Sequence, residues 1–276
     1  MTLTAPGQRT LRVNRAFADM LGYTVDEMLA SQDPKHVTHP DDRAVDEENV
    51  RALVGGDADA ARWEKRYIHA DGHTVSALVS VTLLRHRDGT PRLLIAQIED
   101  ITERKRMEQR LRQLADHDSL TGLRNRRTFE EAVILQVGRC QRYGEKATLL
   151  LIDLDGFKQI NDTHGHQTGD DVLKAVADAI RARVRTTDFA ARIGGDEFAV
   201  LLPHTSNGKA ACVAREIQRV IDETTINVGA TAVHPRASIG IATVDEGTPG
   251  AEAAIVEADR AMYAVKRRKA PEATTN

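Results

Sequence analysis

Hydrophobic and polar positions change texture part-way along the chain. Over residues 8–100 the apolar positions come in short runs broken by turns. Val13 to Leu21 reads as a strand end and a short helix stopped by Gly22. Thr24-Val25-Asp26-Glu27 is a capping box opening a second helix with Met28 and Leu29, and His39-Pro40-Asp41-Asp42-Arg43 turns into a third. Trp63–Ile68, Thr74–Leu84 and Pro91–Glu99 then read as strands joined at Asp71-Gly72 and Asp88-Gly89, turn dipeptides of an antiparallel meander. Across 101–117, Arg104, Met107, Leu111 and Leu114 recur at three- and four-residue spacing among charges. That spacing predicts a helix of about 27 Å, serving either as a short two-stranded coiled coil or as a helix packed on its own domain.

From 118 to 270 helical and strand periods alternate. Thr128-Phe129-Glu130-Glu131 caps a helix ending near Gly144, and a second helix runs from Asp170 with Leu173, Val176, Ala177, Ile180 and Val184 on one face. A strand over 147–153 lies between them. A hairpin over 189–202 turns at Gly194-Gly195, a pair that supplies the positive φ of a tight turn. Its second arm, Phe198–Leu202, is almost wholly apolar, the pattern of a strand buried on both faces. A helix with Val213, Ile217 and Val220 follows, then strands near 227–233 and 236–244, then a helix with Ile255, Ala258, Met262 and Val265. Strand, helix, hairpin, helix and strand in this order look like a ferredoxin-like palm, so the chain is read as α+β. Residues 271–276 are read as a disordered tail.

Composition narrows the function classes. A chain of 276 residues has room for two domains, and 41% hydrophobic with 29% charged residues is the balance of a soluble globular protein. The net charge is 38 − 41 = −3, which gives no reason to expect nucleic acid as a partner. Apolar runs fall far short of the ~20 residues of a membrane helix, and Met1–Gly7 lacks the apolar segment of a leader. A cytoplasmic protein without a membrane partner is therefore expected. Cys140 and Cys212 fall on predicted helices and are read as buried, reduced thiols.

Both buried strands of the second half meet acids at one end. Asp153 and Asp155 follow Ile152, while Asp196 and Glu197 precede Phe198. Carboxylates converging from two strand ends repel unless a cation sits between them. Oxygen donors without His or Cys favour Mg2+, which keeps waters and shares its shell with phosphates. Gly156 lets the backbone approach such phosphates, and Lys158 supplies charge to them. Metal-assisted phosphoryl or nucleotidyl transfer is the chemistry this suggests. Solvated acids at a surface turn are the rival reading, and convergence from two strands weighs against it.

Arg192-Ile193-Gly194-Gly195-Asp196-Glu197-Phe198 resembles the signature of the GGDEF-domain diguanylate cyclases. Asp118 to Arg127, Asp153 to Asp162, Gly165 to Asp170, Ser238-Ile239-Gly240 and Ala258 to Lys266 stand in that family's order, so the resemblance covers residues 116–269. It implies condensation of two GTP molecules to cyclic di-GMP with release of two pyrophosphates. It further implies two Mg2+ per active site and a homodimer, because each domain carries one GTP. On this resemblance Asp153, the Leu154 carbonyl and Asp196 hold metal. Asp196 also accepts the proton, Glu197 supports it, and Lys158 stabilises the transition state. Arg192, Gly195 and Lys266 meet the phosphates, while Asn161, His166 and Asp170 meet the base. A carboxylate accepts from both N1–H and N2–H2 of guanine, which adenine does not offer. Arg185 and Asp188 match the family's inhibitory site for cyclic di-GMP; an i,i+3 ion pair is the structural alternative. Glu216, with Arg215 beside it, stands where the family has a further arginine, so weakened or altered inhibition is expected. Ala270-Pro271 replaces the Gly-Arg-Asn that usually follows the last helix, putting one phosphate contact and a closing strand in question.

Residues 9–104 resemble a PAS sensory domain, down to the exit sequence Ile98 to Lys105. Few residues precede Leu11–Asn14, so the first strand of that fold is expected to be missing or supplied by a neighbouring chain. The resemblance names no ligand. This half has no cysteine for flavin photochemistry, and His36, His39, His69 and His73 are read as surface residues rather than haem ligands. A PAS-regulated cyclase is the leading reading. Its rivals are a non-catalytic cyclic di-GMP receptor, which retention of Asp196 and Glu197 disfavours, and a PAS dimerisation module with a vestigial partner.

Overall fold

The computed structural model describes residues 1–5, 10–31, 36–229 and 231–269. The chain divides into two compact units between Leu111 and Arg112. The expected domain limits at residues 8 and 270, the Ala270-Pro271 departure and the tail 271–276 lie outside the described residues.

The first unit opens with β1 (Thr2–Thr4) and β2 (Thr10–Val13), followed by α1 (Arg15–Leu21) and α2 (Val25–Ala30). Gly22 ends α1 at φ 73°, and the Thr24–Glu27 capping box forms as the sequence reads. A 3-10 turn at Pro40–Asp42 leads into α3 (Arg43–Gly55), then β3 (Ala60–Ile68), β4 (Thr74–Arg85) and β5 (Pro91–Asp100). Their sheet order is β2-β1-β5-β4-β3. The strand expected to be missing is therefore present: Thr2–Thr4 pairs with β2 on one side and β5 on the other. Three residues suffice because both neighbours satisfy their backbone groups.

Helices α1 to α3 and the sheet enclose a core around Phe17, Leu21, Leu53, Tyr67 and Val79. A cavity of about 120 Å³ lies within it, with Asp46, Trp63, Lys65 and Tyr67 on its wall. Asp46 Oδ1 accepts from Lys65 Nζ at 2.7 Å and from the Trp63 indole at 3.1 Å. Burial drives the Tyr67 hydroxyl above the ordinary tyrosine range, with the Asp46 charge adding to it.

From the sheet, α4 (Thr102–Asp116) carries Met107, Leu111 and Leu114 at 62%, 66% and 61% exposure. The remaining elements are α5 (Arg126–Tyr143), β6 (Ala147–Leu154), α6 (Phe157–His164), α7 (His166–Arg181), β7 (Phe189–Arg192) and β8 (Glu197–Pro203). They continue with α8 (Asn207–Glu223), β9 (Ile226–Val228), β10 (Thr231–Val233), β11 (Ala237–Val244) and α9 (Ala251–Lys269). The sheet order β11-β6-β8-β7 is antiparallel throughout, the 4-1-3-2 arrangement of the expected palm.

Every residue of β6 is buried, because alternate side chains enter two cores. Leu150, Ile152 and Leu154 pack with α7 and α8, while Leu149 and Leu151 pack with α5 and α9. Four local readings are corrected. The helix expected from Thr128 starts at Arg126, since the Asn125 side chain accepts the Thr128 N–H. The helix expected from Asp170 starts at His166, behind Gly165 at φ 84°. The strand expected over 227–233 is instead the β9–β10 hairpin, bent at Gly229. Cys212 is exposed rather than buried; Cys140 is buried.

Candidate active site

Pairing register brings the acids together. Asp153, at the end of β6, stands opposite Glu197 on β8 and Ser238 on β11. Leu154 N–H donates to the Asp196 carbonyl at 3.1 Å; the reciprocal bond to the Leu154 carbonyl is not made among the described residues. That carbonyl therefore ends the ladder beside Asp153 and Asp196. These are hard oxygen donors, the set that suits Mg2+. Among the described residues, Asp153, Asp196 and Glu197 do not place three carboxylate oxygens within 4.8 Å of one another. Asp153 Oδ1 is held instead by Lys266 Nζ, at 2.6 Å.

The electrostatics carry the mark of crowded charge. Burial raises the Asp153 carboxyl above its ordinary range, Lys266 works against that, and the charges of Asp196 and Asp155 add to it. Burial likewise raises Glu197, with Asp153, Asp196 and Asp259 contributing. The hydrogen bond to Asp153 raises Lys266. The Lys266 ammonium offsets part of this crowding by pairing with Asp153, and the oxygen-only donor set is of the type that suits Mg2+.

The last helix is what puts Lys266 there. Ala258, Met262 and Lys266 recur every four residues on one face of α9, and Ala258 and Met262 are buried. Gly240 on β11 lets this face approach, because a Cβ there would run into the Ala258 carbonyl and the Met262 backbone nitrogen. Asp155, left out of the metal shell, is taken up by the Ser238 hydroxyl at 2.7 Å and by Lys269 at 3.2 Å.

The hairpin turn differs from expectation. Neither Gly194 nor Gly195 has positive φ. Ile193 N–H and Gly194 N–H both donate to the Glu197 carbonyl, at 2.9 and 3.3 Å, giving a wider turn. Gly194 lies against Glu197, whose carboxylate a Cβ there would displace, whereas Gly195 faces open space. The Arg192 guanidinium donates to the Gly195 carbonyl at 2.8 Å and to Asp118 at 3.2 Å, which holds it beside the turn. Burial pushes the Asp118 carboxyl up, but hydrogen bonds from Thr121 and the Arg192 charge outweigh it and hold it low. Asp118 belongs to a quoted motif without an assigned role; its partner lies 74 positions away, a separation no local pattern reveals.

Lys158 is exposed in the first turn of α6, behind Gly156 at φ 70°. Asn161 and Asp170 sit where α6 and α7 meet, and His166 is exposed at the start of α7. Asn161 Oδ1 is buried without a hydrogen-bond partner among the described residues, lying against Gly169 where a Cβ would clash. Arg185 is exposed, and Asp188 accepts its backbone N–H at 2.8 Å rather than pairing with its guanidinium. Glu216 pairs with Arg219 at 3.0 Å.

Residues 115–271 match the family described as diguanylate cyclase, GGDEF domain, and residues 10–97 match a PAS fold. The chain belongs to the GGDEF-domain diguanylate cyclase family, with a PAS domain ahead of the GGDEF domain. It is 31% identical over 262 residues to an uncharacterized signaling protein of Caulobacter vibrioides, covering 92% of this chain and 30% of that one. To the diguanylate cyclase DgcP of Pseudomonas aeruginosa it is 40% identical over 156 residues, 56% of this chain and 23% of that one. The structure of the coiled coil and GGDEF domain of DgcB from Caulobacter crescentus, in complex with c-di-GMP, matches with a TM-score of 0.57 at 32% identity. That match covers 60% of this chain and 89% of the other. The chain spans less than a third of the length of either curated relative. Among the described residues no helix is long and apolar enough to cross a membrane.

Proposed function

We propose that the chain condenses two GTP molecules into cyclic di-GMP in the cytoplasm, under control of its PAS domain. The observation that supports this reading is the pairing that sets Asp153 opposite Glu197 and bonds the Leu154 N–H to the Asp196 carbonyl, at the ends of adjacent strands. Asp153, Asp196 and the Leu154 carbonyl would hold Mg2+, two ions per site, which when bound neutralise the phosphates and the departing pyrophosphate. With an ion held there, Lys266 would no longer be needed to neutralise Asp153 and would serve the phosphates, as would Lys158 in the first turn of α6. Open space at Gly195 would admit the triphosphate, and Arg192, held beside the turn, would add positive charge to it. Asn161, His166 and Asp170 would meet the guanine base, the Asp170 carboxylate accepting from N1–H and N2–H2.

Each 3′-hydroxyl attacks the α-phosphorus of the other GTP. Its proton passes to Asp196, aided by Glu197, and the α–β anhydride bond breaks to release pyrophosphate. Two domains must face each other for this, so a homodimer is required, and Met107, Leu111 and Leu114 offer its seam on α4. Purified protein with GTP and Mg2+ is expected to yield one cyclic di-GMP per two pyrophosphates, scored by mass spectrometry. No product at any protein concentration, with cyclic di-GMP still bound, would establish the receptor reading instead.

Product control falls to Arg185 and Asp188. Arg185→Ala is expected to relieve inhibition by cyclic di-GMP at least tenfold while leaving initial turnover unchanged. Equal inhibition in variant and wild type would remove Arg185 from that role.

A further inference from the structure

The β3–β4 turn, His69-Ala70-Asp71-Gly72-His73, carries a constellation outside the nucleotide chemistry. His69 N–H donates to the His73 carbonyl at 2.9 Å, and Gly72 closes the turn at φ 94°. This makes the two imidazoles cross-strand neighbours, stacked with centroids 4.2 Å apart and planes 23° apart. Asp71 Oδ1 lies 2.9 Å from His69 Nδ1 and 2.6 Å from His73 Nδ1. One ligand atom from each residue falls within 4.8 Å of the other two.

The contacts around His69 bring a ring nitrogen and a carboxylate together. Its Nδ1 lies 3.2 Å from the Asp71 amide nitrogen, a weak contact that the ring gives up when this nitrogen turns to a metal. The same nitrogen faces the Asp71 carboxylate at 2.9 Å. Two lone-pair atoms this close repel unless a proton or a metal ion lies between them. The His69 ring is also seated from below: it covers Gly22, where a Cβ would strike it, and Ala70 N–H donates to the Leu21 carbonyl at 2.9 Å.

We propose that this turn is a divalent transition-metal site, ligated by Nδ1 of His69, Nδ1 of His73 and the Asp71 carboxylate, with water completing the shell. Two imidazoles and one carboxylate suit Zn2+ and Cu2+ rather than the oxygen-seeking Mg2+. Metal–ligand bonds of about 2.0–2.2 Å separate neighbouring ligand atoms by roughly 3 Å, so small ring rotations suffice. Occupancy ties the hairpin to the end of α1, the helix whose Phe17 lines the cavity. The site thereby gives the PAS domain a metal input independent of GTP.

Zn2+ titration of the full chain by calorimetry, in excess Mg2+ to fill the oxygen-donor site, tests this. Cu2+ electron paramagnetic resonance reports the ligands. Wild type is expected to bind one equivalent that is lost in the His69→Gln/His73→Ala double variant. Each single variant should weaken it at least tenfold, and the two-nitrogen Cu2+ signature should drop to one. His86→Ala should change nothing. An unaltered Zn2+ isotherm in the double variant, with its circular dichroism native, would overturn the proposal. So would a wild type whose turn holds only a proton and takes up no Zn2+ that the double variant fails to take up.

Discussion

Asp196→Asn is expected to lower cyclic di-GMP formation by about 10²–10³-fold or more while leaving the fold as stable as before, or slightly more so. The substitution keeps the shape of the side chain and removes its charge, so a divalent ion loses a ligand and the 3′-hydroxyl loses its proton acceptor. Stability moves the other way because Asp196 is a source of strain. Its charge helps raise both Asp153 and Glu197, and relieving that repulsion favours the folded state. Turnover and thermal unfolding on the same preparation separate the two effects. A variant within tenfold of wild-type activity, or one that unfolds well below wild type, would contradict this account of the acids.

Gly240→Val is expected to give the largest loss of stability, through α9. The added side chain would occupy the space of the Ala258 carbonyl and the Met262 backbone, neither of which can rotate away. Overpacking of this kind costs about 3 kcal/mol, or some 6–12 °C in the unfolding midpoint of the unit containing it. The displacement also carries Lys266 away from Asp153, so residual folded protein should show weakened turnover. Gly195→Ala is the control. Nothing lies within 4 Å of a Cβ there and its φ is not positive, so its midpoint should stay within about 1 °C of wild type. Equal midpoints for Gly240→Val and wild type would mean that α9 is not seated by this glycine.

What could be read from the sequence follows how local each signal is. The apolar runs of β6 and β8 announced strands buried on both faces, because both cores draw on alternate residues of the same segment. Gly22 and the Thr24 capping box were readable because a cap is decided within four residues. β1 was missed because Thr2–Thr4 has no apolar alternation, and one of its partners, Leu94–Ala96, lies across the whole unit. The start of α5 was displaced because Asn125 out-competed a plausible capping box three residues later. In the candidate site, the acids were visible as types at strand ends. Their neutralising partners were not: Lys266 is 113 positions from Asp153, and such distances are set only by sheet register and helix seating. The bond from Arg192 to Asp118, 74 positions away, is equally invisible in the sequence. The orphaned Asn161 Oδ1 is a property of packing, with no sequence signature at all.

The central claim is that Asp153 and Asp196 share a divalent ion beside the nucleotide. Mn2+ binding, followed by electron paramagnetic resonance with a non-hydrolysable GTP analogue present, tests it directly. Wild type should bind the ion tightly, whereas Asp153→Asn and Asp196→Asn should each lose it. Full stoichiometry and unchanged affinity in either variant would contradict the claim.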